Sequence, residues 1–202
     1  MDTVFTGIEK CCGCGYCLHI CKKKAISLKE DSDGYIYPVI DQALCIDCGM
    51  CRKTCPQLKP ELVTPIKTYS AYRKSEQKRE ASSSGGAFAA VAEKFLNENA
   101  YVCGAAFDEN FNLNQRMIAS IEELKPLLGS KYVQSSLSEV LPIIKERCQT
   151  EKVLFCGTPC QVNAVKKFVS NTENLYTIDI ICHGVPPLKC FMLFWKHYIQ
   201  ML

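Results

Sequence analysis

The sequence predicts two unlike parts in one chain: a small α+β module built around metal-ligating cysteines, then an α/β domain with a mostly parallel sheet. Cysteines at 11, 14, 17 and 21 recur 34 residues later as Cys45, Cys48, Cys51 and Cys55. Beyond residue 66, strand and helix signals alternate in β-α order, the pattern of layered α/β folds. Residues 57–68 hold Pro60 and Pro65 with little hydrophobic pattern, which marks a linker with a boundary near 60–66. The expected domains are 1–60 and 67–202.

Both cysteine runs read C-x2-C-x2-C-x3-C, and the second closes with Pro56. Two-cluster bacterial ferredoxins use this pattern, each iron–sulfur cube taking three thiolates from one run and its fourth from the other. The first part is therefore expected to be a ferredoxin-like module with two 4Fe–4S clusters. Cys11, Cys14, Cys17 and Cys55 are assigned to one cube, and Cys45, Cys48, Cys51 and Cys21 to its partner. Two-residue spacers let a tight loop aim three sulfurs at one centre, and Gly13, Gly15 and Gly49 help the backbone turn between them. Paired zinc sites instead show two x2 pairs far apart, and a disulfide framework needs an oxidising compartment. Cys12 is the spare thiol of the loop, read as structural, with replacement of Cys11 as the alternative. Lys22, Lys23 and Lys24 read as a solvated face, or as a dock for an acidic redox partner. His19, between two ligands, reads as a surface residue.

Composition narrows the classes. With 202 residues and 48% apolar content the chain can bury a core. Its first ten residues lack the apolar stretch of a signal peptide, and no apolar run reaches the length of a membrane span. Fifteen cysteines suit a reducing cytoplasm. The formal charge of +3 falls to about −1 once two clusters of about −2 each are counted, so nucleic-acid binding is not indicated.

Short strands are expected over 25–28 and 35–39, joined by the turn Asp31-Ser32-Asp33-Gly34. In the second part a strand is expected over 69–73, then a helix after Ser82-Ser83-Ser84-Gly85-Gly86 with Phe88, Val91, Ala92, Phe95 and Leu96 on one face. A strand over 101–107, a polar hairpin-like stretch and a helix over 122–128 follow. The next helix turns Val140, Leu141 and Ile144 inward. Its cap is open between Ser136, with a capping-box spacing to Glu139, and Ser138, which keeps Pro142 in the first turn. A strand over 153–156 leads through Gly157 and Thr158 into a helix ending near Ser170, and a strand over 175–182 leads to a last helix. That helix is apolar on all sides, with Phe191, Phe194, Trp195 and Tyr198 on one and Met192, Leu193 and Ile199 on the others. Such a helix wants more protein against it: the missing part of a longer chain, or another subunit.

Ser82–Gly86 at a helix start could cradle an anion, although helix capping accounts for the same residues. Cys103-Gly104, Cys156-Gly157 and Cys182-His183-Gly184 are placed at strand ends, where open α/β sheets bind ligands. These cysteines read either as small buried hydrophobes or, for Cys156, Cys160 and Cys182, as a further cluster or a redox thiol pair. His183 and His197 have no assigned role, and no acid–base pair or nucleophile triad stands out.

Five segments in order behind the double cysteine run, SSSGGAFAAVAEKF, YVCGAAFDENF, GSKYVQSS, VLFCGTPCQV and IDIICHGVPP, resemble the coenzyme F-420 hydrogenase/dehydrogenase beta-subunit family. The resemblance covers nearly the whole chain and implies an FAD beside the clusters. It makes Ser84, Gly85, Gly86, Lys131, Tyr132, Gly157, Thr158 and Gln161 candidate flavin-site residues. It implies an iron–sulfur flavin oxidoreductase that exchanges electrons with a redox partner protein and an organic acceptor, coenzyme F-420 or another small molecule. It also implies that the chain stops inside the family's C-terminal region. The alternative is a cluster-only electron-transfer module docking on a larger redox complex.

Overall fold

The computed structural model describes residue 4 and residues 10–58, 64–170 and 173–200, apart from the side chains of 195, 196 and 198–200. The first part contains helix α1 (Tyr16–Ile20), strands β1 (Ile26–Glu30) and β2 (Ile36–Ile40), and helix α2 (Met50–Lys53). The strands form an antiparallel hairpin with Leu28 opposite Pro38. Asp31 Oδ1 accepts from the backbone N–H groups of Asp33 and Tyr35, so the Asx-type turn read from the sequence closes the hairpin. Each helix begins one residue after a left-handed glycine, Gly15 (φ 75°) and Gly49 (φ 67°). Both glycines sit between cysteines of a run, so the turn that sets the thiols also starts the helix.

The second part contains α3 (Glu76–Glu80), α4 (Ala87–Asn97), β3 (Tyr101–Phe107), β4 (Leu113–Ile118), α5 (Val140–Arg147), β5 (Val153–Gly157), α6 (Pro159–Val169), β6 (Leu175–Asp179) and α7 (Leu188–Gln200). Its sheet runs β4-β3-β5-β6. Strands β3, β5 and β6 are parallel, and β4 pairs antiparallel at the edge. β5 is buried along its length. Val153 and Phe155 pack into a cluster with Val140, Leu141 and Ile144 of α5 and Val162 and Val165 of α6. Leu154 joins the other cluster, with Ala92 and Leu96 of α4 and Val102 and Ala106 of β3. The central strand thus alternates between two helical layers, as period-2 side chains dictate.

Four sequence readings change. Residues 69–73 are irregular, with Tyr69 and Tyr72 exposed. Arg73 spends its backbone N–H on Gly85 O (2.9 Å) and its guanidinium on Glu93 (2.6 Å), so this segment braces the 82–86 turn instead of joining the sheet. The stretch over 122–128 is two 3-10 turns, Ile121–Glu123 and Lys125–Leu127; Pro126 has no N–H to give to the carbonyl four residues back. β6 ends at Asp179, where Gly157, its last ladder partner on β5, also ends. Cys103 lies inside β3, opposite Met117 and Phe155, and does not close the strand. Neither Ser136 nor Ser138 caps α5: it starts at Val140 after Glu139, with no side-chain hydrogen bond at the cap, and Pro142 lies inside its first turn. Part of the expected 60–66 boundary falls outside the described residues, as do the side chains of Trp195, Tyr198 and Ile199 in the all-round apolar reading of the last helix. On that helix Leu193 and Phe194 are exposed.

The two parts dock through the segment before α5, through α6 and through Lys189 at the start of α7, which reaches Ser32 O. Gln134 makes a two-point bridge to the β2 backbone, accepting from Ile36 N (2.8 Å) and donating to Ile36 O (3.0 Å). His19 Nε2 donates to Ser138 O (2.7 Å), and its ring and that of Tyr16 pack on Phe168. Asn163 donates to Pro56 O (2.8 Å) and Gln57 to Cys160 O (3.2 Å). Because α5 and α6 are held by the Phe155 layer, the position of the cysteine runs depends on that core. Phe155→Ala is expected to cost about 3–5 kcal/mol in chemical denaturation, with the loss of secondary-structure signal following one transition for the α/β domain.

Candidate functional site

The cysteine runs enclose a small cavity. Cys11, Cys14, Cys17 and Cys55 line it together with Cys12, Tyr16 and Pro38. Burial pushes the Cys11 thiol up to about 11, and the neighbouring Cys14 and Cys55 add to the rise. Burial also raises Cys17, and charge on Cys14, Cys11, Cys51 and Cys55 raises it further. Cys51 shows the same burial effect, with Cys21 and Cys48 as its thiol neighbours. Cys11, Cys14, Cys17 and Cys55 share the cavity, while Cys51, with Cys21 and Cys48 beside it, also neighbours Cys17. Cys45 accepts from Asp47 N at 3.4 Å, Cys21 from Ala25 N at 3.4 Å and Cys11 from Gly13 N at 3.5 Å. Such N–H···S contacts are the kind that iron–sulfur sites place on their ligand sulfurs. Thiols crowded around one cavity, with backbone donors at Cys11, Cys21 and Cys45, would suit iron, which supplies the positive charge that buried, mutually repelling thiolates need.

The sides differ in exposure. Cys17 and Cys55 are buried, whereas Cys48 is exposed and lies among the exposed apolar side chains of Leu44, Ile46 and Met50. Lys22, Lys23 and Lys24 next to Cys21 are exposed as well.

The candidate flavin residues lie on three segments that meet beside the carboxyl end of β5. Ser130 donates to Ser83 Oγ through its backbone N–H (2.8 Å), tying the 82–86 turn to the segment before Lys131. Lys131 Nζ donates to Pro126 O (2.9 Å) and Leu128 O (2.8 Å), and Cys156 lies near it. Burial lowers its ammonium to about 8, with no carboxylate beside it among the described residues. A half-buried cation without a counter-ion suits an anionic ligand group. Gln161 is buried and already engaged: it closes a capping box with Thr158 and donates to Ser135 Oγ (2.8 Å). Gln115, on the edge strand, donates to Gln161 Oε1 (3.3 Å), and its own buried Oε1 has no partner among the described residues. Sequence reasoning missed Gln115, and only the antiparallel pairing of β4 brings it here.

The glycines of these segments have local reasons. A side chain at Gly85 would strike Ala71 O, one at Gly86 the Arg73 stem, and one at Gly157 the rings and amide of Phe155 and Gln161. Ser84 (φ 54°) and Gly86 (φ 75°) hold the left-handed turn into α4. Tyr132 is 73% exposed and contributes no wall. The broad open cleft along β4 and α5 contains none of the eight candidates.

Cys156, Cys160 and Cys182 do not form one thiol group. Cys156 is buried and pushed up to about 12 by burial, with Asp179 and Lys131 as its charged neighbours. Cys182 is exposed, and Cys160 turns toward Cys12.

Two cysteine runs docked on an open α/β sheet define an iron–sulfur electron-transfer protein. Residues 10–58 match the 4Fe-4S dicluster domain, and residues 150–199 match the C-terminal part of the coenzyme F420 hydrogenase/dehydrogenase beta subunit. These two matches stand in one chain in that order, so the chain is similar at its far end to the coenzyme F420 hydrogenase/dehydrogenase beta-subunit family. It is similar to the coenzyme F420-dependent sulfite reductase of Methanocaldococcus jannaschii, 28% identical over 78% of this chain and 25% of the relative. An uncharacterised protein of the same organism is 22% identical over 83% of this chain and 55% of its own length. An uncharacterised ferredoxin from it is 38% identical over 24% of this chain and 61% of its own length. The chain thus spans about a quarter of the first of these relatives and about half of the second.

The Lys131 shift has a signed consequence. Its folded ammonium is less basic than in the unfolded chain, so the unfolded state binds more protons between about pH 8 and the ordinary value of 10.5. Stability contributed at this site therefore rises with pH across that window and is constant below it. Amine-selective labelling of Lys131, read by peptide mass spectrometry, is expected to reach half its limiting rate near pH 8.

Proposed function

We propose that the chain is an iron–sulfur flavin oxidoreductase, relaying electrons between a redox partner and an organic acceptor through two 4Fe–4S clusters and FAD. The observation that carries the reading is the cavity lined by Cys11, Cys14, Cys17 and Cys55 at the seam with the α/β domain. Those four residues would hold one cluster, and Cys45, Cys48, Cys51 and Cys21 the other. FAD, when bound, converts one-electron transfer into transfer of hydride. Lys131 would hold negative charge of the flavin or its pyrophosphate, and the backbone around Ser84, Gly85 and Gly86 would face it across the Ser83–Ser130 contact. Thr158 and Gln161 would act as positioning residues, fixing the start of α6 and the turn at Gly157, while Tyr132 would reach in from the exposed side.

Exposure gives the relay a direction. Cys48 and its apolar neighbours face solvent, which suits contact with a partner protein, and the exposed Lys22–Lys24 run suits an acidic one. The cavity of Cys11, Cys14, Cys17 and Cys55 faces the α/β domain. The acceptor is coenzyme F420 or a small molecule of similar chemistry, supported by the name of the sulfite reductase relative. The domain division at 1–60 and 67–202 follows from the same roles. Seven cysteines outside the two runs suit a reducing cytoplasm, and among the described residues no helix is long and apolar enough to cross a membrane.

Anaerobic reconstitution with iron, sulfide and FAD tests the reading. Near-stoichiometric FAD and about eight iron atoms per chain are expected. Full iron without flavin would replace this reading with an electron-transfer module that docks on a larger enzyme. Cys48→Ala is expected to lose about half the iron while the other cluster's signal remains; unchanged iron would refute the ligand assignment.

A further inference from the structure

The turn at residues 82–86 is held from outside by a segment that belongs to no strand. Ser84 (φ 54°) and Gly86 (φ 75°) are both left-handed, a conformation that a serine keeps only when surrounding contacts impose it. Those contacts converge on Arg73. Its N–H donates to Gly85 O at 2.9 Å, and a side chain at Gly86 would strike its stem. Its guanidinium donates to Glu93 Oε2 at 2.6 Å, and its own carbonyl accepts from Arg79 Nη1 at 3.3 Å. Glu93 stands on α4, the helix that the turn starts, and accepts also from Lys78 Nζ at 3.3 Å. The Arg73 and Glu93 side chains are 11% and 24% exposed, the most shielded ion pair among the described residues, so solvent screens it least. On its other flank the turn meets the segment of Lys131, where Ser83 Oγ accepts from Ser130 N at 2.8 Å. One line of contacts thus runs from Glu93 through Arg73 and the turn to the residue before Lys131.

We propose that Arg73 and Glu93 are positioning residues that set the 82–86 turn against Lys131 for an anionic group of the flavin. The inference rests on the flavin reading above. Neither side chain is a ligand contact in this role. Glu93 occupies the Arg73 guanidinium, so that this cation anchors the turn and leaves the anion to Lys131. The backbone donor of Arg73 then keeps Gly85 in place, and with it the amides of the left-handed turn. Without the Glu93 charge the Arg73 stem is free to leave Gly86, and the turn samples conformations that binding must reorder.

The chain reconstituted anaerobically with iron and sulfide is titrated with FAD, followed by flavin fluorescence, as wild type, Glu93→Gln and Arg73→Lys. Amide hydrogen exchange of the flavin-free forms is read by mass spectrometry. Glu93→Gln is expected to weaken FAD binding about tenfold, the cost of ordering one or two side chains on binding. Exchange over residues 82–86 should quicken, while β5 keeps its protection and iron content stays at the wild-type level. Arg73→Lys keeps a cation opposite Glu93 and the backbone donor to Gly85, so it should bind FAD more tightly than Glu93→Gln. Unchanged FAD affinity in Glu93→Gln would overturn the proposal. So would weaker binding accompanied by faster exchange in β5, because the loss would then be one of general stability. A wild-type chain that binds no FAD would defeat the flavin reading and this role together, whereas the two preceding outcomes leave that reading standing.

Discussion

The constraint on which the structure depends is the crowding of thiols in a poorly solvated place. Burial and mutual repulsion raise the thiols of Cys11, Cys17, Cys51 and Cys55, most strongly at Cys11 and Cys17. A folded module built this way is poor at keeping bare thiolates and good at keeping thiolates bound to a cation. Its apolar support is slight: Val4 and Ile26 pack with Cys17 and Cys55, and Leu18 and Ile40 border them. A two-stranded hairpin and two short helices are too little to stand alone. Iron ligation and docking on the larger domain supply what the core does not.

Docking explains features that the cysteine spacing alone leaves open. Gly13 is left-handed, and a side chain there would strike Ile36 O and the Gln134 amide, so this glycine serves the seam as well as the ligand loop. Gly15 faces Ser138 in the same way, and Ser138 O accepts from His19. His19, read from sequence as a surface residue, is therefore a bridge between the parts. Among the described residues the seam carries amide and backbone hydrogen bonds around two ring contacts, Tyr16 and His19 on Phe168, as in interfaces within a chain that carry modest burial.

The cysteine arrangement and the fold class were legible because both rest on local rules. A repeated spacing needs no knowledge of the rest of the chain, and β-α alternation shows in short windows. The readings that failed depend on distant partners. Residues 69–73 have the composition of a strand, but Arg73 is captured by Gly85 and Glu93. The length of β6 is set by where β5 stops. The helix over 122–128 failed for a local reason that was visible, the missing N–H of Pro126. The place of Gln115 beside Gln161 is a product of topology, and no spacing announces it.

The flavin region is harder to read for a related reason. Each glycine and cap in it has a sufficient structural cause, so residue types that suggest a ligand also satisfy the chain's own packing. What those causes leave over is electrostatic: among the described residues the Lys131 ammonium donates to two carbonyls and no carboxylate, and Gln115 Oε1 is buried with no partner. Desolvating a cation and leaving an acceptor unpaired both cost free energy that packing does not return. Costs of this kind are retained at functional sites when a bound group offsets them. The argument for a ligand at the carboxyl end of β5 therefore rests on Lys131 and Gln115, and not on the glycine-rich turn that first suggested it.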